Sequence, residues 1–176
     1  MFISEIVTAA DMAKTDSFFI RASATYNSTT FVQETIDLGA FVDALGKSVL
    51  RIHNISVQYG TPPFAPAPTA NSDNANAFQL TTQSQTGMVT LDDKSVVASG
   101  SLNFSGDANA AAQFVSESLD AAPQHWTGGY LVAVEQLYLG IDANQDDGPD
   151  VVSICLKCTV ETLSEKAAMA LALSQQ

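Results

Sequence analysis

Four aspartates and an asparagine lie close together in the segment GIDANQDDGPDVV, residues 140–152, between two apolar runs. Asp142, Asn144 and Asp146 have the spacing at which alternate residues of a tight loop present oxygen ligands to calcium. The glycine comes one position too late for an EF-hand, and Ser153 stands where the bidentate glutamate is required. Because Asp, Asn, Gly and Pro are also the residues of turns, the segment predicts either an acidic hairpin turn or a weak calcium site.

Cys155 and Cys158 have the CxxC spacing of a redox pair or of half a zinc site. The surrounding run VVSICLKCTVETL is rich in β-branched residues and predicts a strand, on which positions three apart point to opposite faces. The other candidate zinc ligands, His53 and His125, are far away in the sequence. We therefore expect two separate thiols, and a structural role for His53.

His125, Trp126 and Tyr130 lie in the aromatic segment PQHWTGGY before a predicted strand. If exposed, this segment can bind a sugar or a partner, and if buried it closes the core. The chain contains no GxSxG, HExxH, Walker or Rossmann glycine motif. No catalytic residue or organic cofactor is predicted, and we expect the protein not to be an enzyme.

The charge of the chain is unbalanced, with 19 acidic residues against seven lysines and arginines and a net charge of -12. Phosphate binding requires clustered cations, and these seven are scattered singly, so direct binding to nucleic acid is not expected. The start of the chain lacks the pattern of a secretory signal, and no apolar run reaches the roughly 20 residues of a membrane span. We expect synthesis in a cytoplasm and no transmembrane segment.

Alternation of apolar and polar residues predicts about seven or eight strands. In SVLRIHNISVQY, residues 48–59, both faces of the predicted strand mix polar and apolar side chains, as at a covered sheet margin. The two longest predicted strands, 130–142 and 150–163, flank the acidic segment and are expected to form a long hairpin.

Helices are expected only in connections and at the ends of the chain. In residues 107–123, apolar residues recur at helical spacing, with Asp107 as a cap and Pro123 as a stop. A short helix or turn is expected from Ser4, and a C-terminal helix over 164–176.

Residues 60–77, GTPPFAPAPTANSDNANA, hold four of the six prolines and predict a long surface loop. Strands of the same style continue on both sides of this loop, which favours one domain over residues 1–176. The predicted fold class is all-β, a jelly-roll sandwich or barrel of about eight antiparallel strands with short helices in connections and at the C-terminus.

The order of elements resembles the small single jelly-roll major capsid proteins of icosahedral double-stranded DNA viruses of archaea and bacteria. The resemblance covers most of the chain and consists of the strands, the PPFAPAP loop, the helix between strands, and the closing strand pair with its alanine-leucine helix. It implies a shell-building subunit in the virion, made in the host cytoplasm, whose partners are copies of itself and other capsid proteins.

Some of these viruses enclose an internal membrane, and the low basicity implies that the genome is handled by another protein or kept behind that membrane. The helix AAMALALSQQ can lie against a neighbour or a lipid layer. We expect it to dock on its own barrel, because one short apolar helix anchors poorly in lipid.

The alternative from another class is a cation-assisted carbohydrate-binding or adhesion sandwich. In this alternative Asp142, Asn144 and Asp146 hold calcium, and Trp126 and Tyr130 form the binding platform. It predicts a melting temperature that depends on calcium and binding of glycans by the monomer.

Overall fold

The computed structural model describes residues 15–26, 29–43, 47–64, 68–145 and 150–176. The helix or turn expected from Ser4 lies outside these residues. The described part contains nine strands, a 3₁₀ turn over Pro123–His125 and one α-helix, α1, over Glu165–Ser174. The strands are β1 Phe18–Tyr26, β2 Val32–Asp37, β3 Ser48–Tyr59, β4 Asp73–Thr81, β5 Val96–Gly106, β6 Ala112–Ala121, β7 Tyr130–Val132, β8 Gln136–Ala143 and β9 Asp150–Thr162.

The strands form two antiparallel sheets. The four-stranded sheet has the order β1-β9-β3-β7, and the five-stranded sheet has the order β2-β8-β4-β5-β6. Without β6, each sheet has four strands, and the chain crosses between the sheets at every connection except that from β4 to β5. This is the arrangement of a jelly roll, so the predicted fold class is confirmed. Strand β6 is an addition beside β5.

The core lies between the two sheets and is filled by apolar side chains from both. Phe78 of β4 is fully buried and meets the ring of Tyr59 edge-on, with 6.3 Å between the ring centroids. Leu50, Ile52 and Leu139 are also fully buried in this cluster. Each such side chain stabilises the fold by about 1.5–3 kcal/mol relative to exposure, so these positions fix the spacing of the sheets.

A bulge in β3 explains why both faces of residues 48–59 look mixed in the sequence. The pairing with β9 shifts between Ile52 and Asn54, which leaves His53 as the extra residue. Leu50 and Ile52 face the core before the bulge, and Ile55 faces it afterwards. One extra residue reverses the alternation, so no single phase describes the whole strand.

The helix predicted over residues 107–123 is wrong. Residues Ala112–Ala121 form β6, which pairs antiparallel with β5. Asp107 does not cap a helix; its Oδ1 accepts hydrogen bonds from the backbone N–H groups of Ala111 and Asn109 in the turn between β5 and β6. Both bonds lower the pKa of the Asp107 carboxyl, and the bond from Ala111 has the larger effect. Pairing with β5 outweighs the helical preference of the alanines, which is small per residue.

The long hairpin predicted around the acidic segment is also wrong. Strand β8 belongs to the five-stranded sheet and β9 to the four-stranded sheet, so the segment between them connects the two sheets. The single strand predicted over 130–142 is divided into β7 and β8, which lie in different sheets. Both predictions failed because alternation shows that a strand exists and does not show to which sheet it belongs.

Two smaller predictions concern the Pro-rich loop and the C-terminal helix. Strand β4 begins at Asp73, so the last five residues of the predicted loop 60–77 belong to a strand. Helix α1 lies within the predicted range 164–176, and the Ser164 hydroxyl caps it by accepting from the backbone N–H of Ala167. Among the described residues, no helix is long and apolar enough to cross a membrane. That residues 1–176 form a single domain stays a prediction.

Candidate functional site

Two of the three candidate calcium ligands, Asp142 and Asn144, have different hydrogen-bond partners in the structure. Asp142 lies in β8, where its Oδ1 accepts from the backbone N–H of Ala143 at 2.9 Å. The Asn144 amide is bound to β4: its Oδ1 accepts from the N–H of Ala75 at 2.7 Å, and its Nδ2 donates to the carbonyl of Asp73 at 3.1 Å. Asp146 lies outside the described residues. Among the described residues, no group of three or more His, Cys, Asp or Glu side chains is arranged so that it could hold a metal ion.

The aromatic segment forms a turn beside the four-stranded sheet. Trp126 is partly exposed, and its ring lies 5.7 Å from that of Tyr130 at an angle of 46°. Because the two rings are tilted, they do not form one continuous flat surface. His125 lies in the 3₁₀ turn, and the turn is held to β3 by the neighbouring Gln124.

The cysteines lie on opposite faces of β9, as predicted from their spacing. Cys158 is buried in the core, and Cys155 is half-buried on the outer face of the four-stranded sheet. Burial raises the pKa of the Cys158 thiol to about 12, with a smaller contribution from Cys155. Both thiols are free, so Cys158 is an inert core residue and Cys155 is the accessible thiol. His53 binds the Thr159 hydroxyl through Nε2 at 2.9 Å, in agreement with a structural role.

A shallow groove of about 560 Å³ crosses the outer face of the four-stranded sheet next to Cys155. Small side chains on three adjacent strands leave this space open. The charged side chain in its lining is Arg21, whose guanidinium lies 5.6 Å from the centre of the Phe19 ring. The polar lining residues are Arg21, Ser23, Ser56, Gln58, Ser153 and Cys155.

A buried ion pair lies on the same outer face. Arg51 donates through Nε and Nη2 to the two carboxylate oxygens of Glu161, at 2.7 Å each. Its Nη1 donates to the carbonyl of Gly128 at 2.6 Å. Gly128 and Gly129 both have positive φ angles, of 84° and 75°, which favour glycine and shape the turn that presents this carbonyl. The pair therefore fastens the aromatic turn to β3 and β9.

Two glutamine side chains cover exposed strand edges in the four-stranded sheet. Strand β7 pairs with β3 only over Leu50–Ile52, and beyond it the Gln124 amide binds both the N–H and the carbonyl of Ile55, each at 3.1 Å. At the outer edge of β7, Gln175 accepts from the N–H of Ala133 at 2.9 Å and donates to the carbonyl of Leu131 at 2.6 Å. We call these contacts carboxamide clamps. They replace the hydrogen bonds that an added strand would make.

The clamp of Gln175 depends on the docking of α1. Ala168 and Ala172 of the helix pack against Val49 and Ala133, which form a second small apolar cluster. The expected docking of the C-terminal helix on its own barrel is thus observed. The backbone carbonyl of Gln175 also accepts from the hydroxyl of Thr82 at 2.9 Å. The sequence analysis missed both clamps, and a glutamine within a turn or directly after a helix is the weak signal that could have indicated them.

Strand β6 presents a different edge. It ends the five-stranded sheet, and among the described residues it pairs only with β5. Residues 112–117 are exposed on both faces. Phe114 is 57% exposed on the outer face, and Val115 is 50% exposed on the face toward the other sheet. The alternation of AQFVSESLDA was the missed sequence signal for this strand.

No protein-family model matches the chain, and no curated protein matches it in sequence. Solved structures with a similar fold include Cocksfoot mottle virus, at 10% identity and a TM-score of 0.39 over 90% of this chain and 100% of that chain. Turnip yellow mosaic virus is 11% identical with a TM-score of 0.35, over 82% of this chain and 94% of that chain.

A third similar structure is VP1 of Trichodysplasia spinulosa-associated polyomavirus in complex with GM1 oligosaccharide. It is 10% identical with a TM-score of 0.39, over 89% of this chain and 97% of that chain. All three are viral capsid proteins with the jelly-roll fold.

Proposed function

We propose that the protein is a structural subunit of a self-assembling shell, a viral capsid protein located in the virion. The observation that carries the proposal is the strand order, with β1-β9-β3-β7 facing β2-β8-β4-β5 and β6 added at the edge. Double-sheet jelly rolls of this kind build viral capsids, and they also occur in lectins and cupins. Since one fold serves several functions, the interior and the surface must decide among them.

The interior favours a function carried by the outer surface. The space between the sheets is occupied by apolar side chains such as Phe78, Leu80 and Ile141, all fully buried. A cupin-like reaction centre needs polar groups that converge between the sheets. The groove beside Cys155 lies on an outer face and is wide and shallow. Contact with other macromolecules, without catalysis, is therefore the function that this geometry supports best.

The finer parts of the proposal come from the resemblance in the sequence. We propose that the chain is a single jelly-roll major capsid protein of an icosahedral double-stranded DNA virus of archaea or bacteria. In this proposal it is synthesised in the host cytoplasm and makes contacts with other capsid proteins. The net charge of -12 supports a subunit that does not bind the genome directly. Met169 and Leu173 of α1 are exposed, so this helix offers an apolar side to a neighbouring subunit or to an internal membrane.

Calcium binding by Asp142, Asn144 and Asp146 stays a prediction, and the carbohydrate-binding alternative depends on it. The bonds from Asn144 to β4 already occupy its amide nitrogen and one lone pair of its oxygen. The alternative is therefore the weaker of the two functions. Melting the protein in calcium and in EDTA tests it: the shell proposal expects nearly equal melting temperatures, and the alternative expects a clear rise in calcium.

Electron microscopy of the purified full chain tests the proposed function. The expected result is closed or ring-like particles of uniform size that contain many copies of the 18.5 kDa chain. Glycan-array binding by an 18.5 kDa monomer, with no particles at the highest attainable concentration, would support the carbohydrate-binding alternative instead.

A further inference from the structure

The edge of β6 lacks the protection that the β3 and β7 margin of the four-stranded sheet has. Gln124 and Gln175 occupy the backbone groups of β3 and β7 that an added strand would use. Among the described residues, no hydrogen bond closes the outer edge of β6, and its ten residues include no lysine, arginine or proline. Natural sheets usually blunt an open edge with such residues or cover it. An edge of this kind is suited to pairing with another strand.

The exposure of β6 on both faces indicates the form of its partner. Phe114 and Val115 are neighbours in the strand and point to opposite faces, and both are at least half exposed. A partner that docked on one face would cover only one of the two side chains. A strand added to the edge places side chains beside both faces at once, because its own residues also alternate.

We propose that β6 pairs with β6 of a second copy of this chain, antiparallel across a two-fold axis. The proposal rests on the proposed shell function and gives it one specific contact between subunits. In an isologous contact each copy uses the same segment, so that segment must be complementary to itself. Strand β6 meets this condition through the way its charges are distributed.

The charges of β6 determine both the direction and the register of the pairing. Residues 112–116 are uncharged, and both acidic residues, Glu117 and Asp120, lie in the second half. A parallel pairing in register would place each acid beside its own copy. The antiparallel pairing lays the acidic half of one strand along the uncharged half of the other, so no like charges are directly opposite.

Two bulges narrow the register further. The pairing with β5 shifts between Ala112 and Phe114 and again between Leu119 and Ala121, which leaves 114–119 as the regular part. In an antiparallel two-fold pair, one residue lies opposite itself. With Ser116 at that position, Phe114 faces Ser118 and Val115 faces Glu117 of the second copy, all within the regular part. A register centred on Glu117 would place two carboxylates face to face, which destabilises the pair.

A contact of this size is weak by itself. Five or six paired residues on each side bury less than the ~1,200 Å² at which stable complexes begin. Such a contact is reversible between two copies and becomes effective when each subunit makes several contacts in one assembly. Covalent trapping is therefore the suitable test.

The test is disulfide formation by Ser116→Cys in a Cys155→Ser background, with the buried Cys158 unchanged. Directly opposite residues of an antiparallel pair have Cα atoms about 4.5–5.5 Å apart, within the range of about 4.4–6.8 Å that a disulfide spans. Mild oxidation is expected to give a covalent dimer of Ser116→Cys. Phe114→Cys alone should not dimerise, since its two copies lie roughly 14 Å apart, but mixed with Ser118→Cys it should form a heterodimer.

Ser23→Cys is the matched control, because Ser23 is an exposed serine on another terminal strand, β1. The proposal is overturned if Ser116→Cys forms no more dimer than Ser23→Cys. If that happens while particles are still seen by microscopy, the shell function stands and only this contact fails. If the dimer forms and no particles are seen, the contact stands and the shell function fails.

A second variant avoids cysteine chemistry. Phe114→Lys with Val115→Lys removes the apolar side chains and adds the residue type that protects natural edges. The dissociation constant of the β6 contact between two copies is expected to rise by about tenfold or more, because two apolar side chains per copy are no longer buried there. Leu91→Lys, at another exposed apolar residue, should change association less than twofold. Equal weakening by both variants, with unchanged melting temperatures, would contradict a specific role of β6.

Discussion

Gln124 binds both backbone hydrogen-bonding groups of Ile55, at 3.1 Å each, and so takes the place of a neighbouring strand beside β3. Gln175 does the same at the outer edge of β7, through Ala133 and Leu131. The four-stranded sheet is thus closed by side chains along this margin, whereas the five-stranded sheet ends in the open strand β6. This difference between the two sheets is the basis for the proposed pairing of β6 with a second copy of the chain.

The clamp of Gln124 should contribute measurably to stability. Gln124→Ala removes two hydrogen bonds and leaves the N–H and carbonyl of Ile55 without their partner, so the free energy of unfolding should fall by about 2 kcal/mol. Chemical denaturation measures this change. Gln58→Ala, at an exposed glutamine of β3, the strand that contains Ile55, should change stability by less than about 0.5 kcal/mol. A loss at Gln124 no larger than that at Gln58 would show that the clamp is not formed in solution.

The pair of Arg51 and Glu161 should be costly to break from one side. Glu161→Gln leaves the Arg51 guanidinium without its carboxylate in a largely buried place, and we expect a loss of about 3 kcal/mol. The double variant Arg51→Met with Glu161→Leu should recover part of that loss, because it removes both charges. Chemical denaturation of Glu161→Gln and of the double variant checks both values, and the single variants Arg51→Met and Glu161→Leu complete a double-mutant cycle. If the double variant loses the sum of the two single changes, the residues do not interact.

Tyr59→Phe is expected to stabilise the protein. The Tyr59 hydroxyl is buried and has no hydrogen-bond partner among the described residues, so its removal should add about 1 kcal/mol at neutral pH. Burial, followed by the charges of Glu117 and Asp120, raises the pKa of this hydroxyl above its usual value near 10. Folding therefore favours the neutral form of the hydroxyl. The contribution of this group to stability is complete below the pKa that Tyr59 has in the unfolded chain, and it is lost as the pH rises above that value.

The pH dependence of Tyr59→Phe gives a second readout. Between about pH 10 and 12 the free energy of unfolding of the natural protein should fall faster than that of the variant. In the natural protein the Tyr59 hydroxyl ionises in the unfolded chain but stays neutral in the folded one, and the variant has no hydroxyl at this position. Urea titrations at several pH values measure this difference. Tyr138→Phe, at a hydroxyl that donates to Gln136 near the surface, serves as the control. Parallel stability curves for Tyr59→Phe and the natural protein would contradict the buried, unpartnered hydroxyl.

The two cysteines should differ strongly in reactivity. In the native protein at pH 8, iodoacetamide should alkylate Cys155 and leave Cys158 unmodified, because Cys158 is buried and its pKa is raised to about 12. Mass spectrometry before and after denaturation identifies the modified residue. Equal rates at both cysteines would mean that β9 does not have the orientation described. Because the folded pKa of Cys158 is raised, its contribution to stability is complete below about pH 8.5 and declines as the pH approaches 12.

The fold class could be predicted from the sequence, since alternating residues and few helical segments indicate a sandwich. The phase of β3 could not, because the bulge at His53 depends on pairing with β9, a strand about a hundred residues away. The same holds for residues 107–123, where apolar residues recur at helical spacing but the segment pairs with β5 as a strand. Long-range pairing therefore explains the main errors.

The surface features were harder to predict than the fold. The carboxamide clamps consist of single glutamines whose partners are backbone groups, and backbone groups leave no trace in the sequence of the partner strand. The acidic segment has the composition of a weak calcium site, yet in the structure the Asn144 side chain is bound to β4. The exposed edge of β6 depends on strand order, which alternation does not contain.

Sedimentation velocity of the purified full chain, over a range of protein and salt concentrations, tests whether the chain assembles into a shell. The acidic subunits repel one another at low ionic strength, so assembly should increase with protein concentration and with salt. If the chain is a shell subunit, 18.5 kDa monomers should give way to a narrow, rapidly sedimenting species that contains many copies of the chain. A single 18.5 kDa species under all conditions would contradict it.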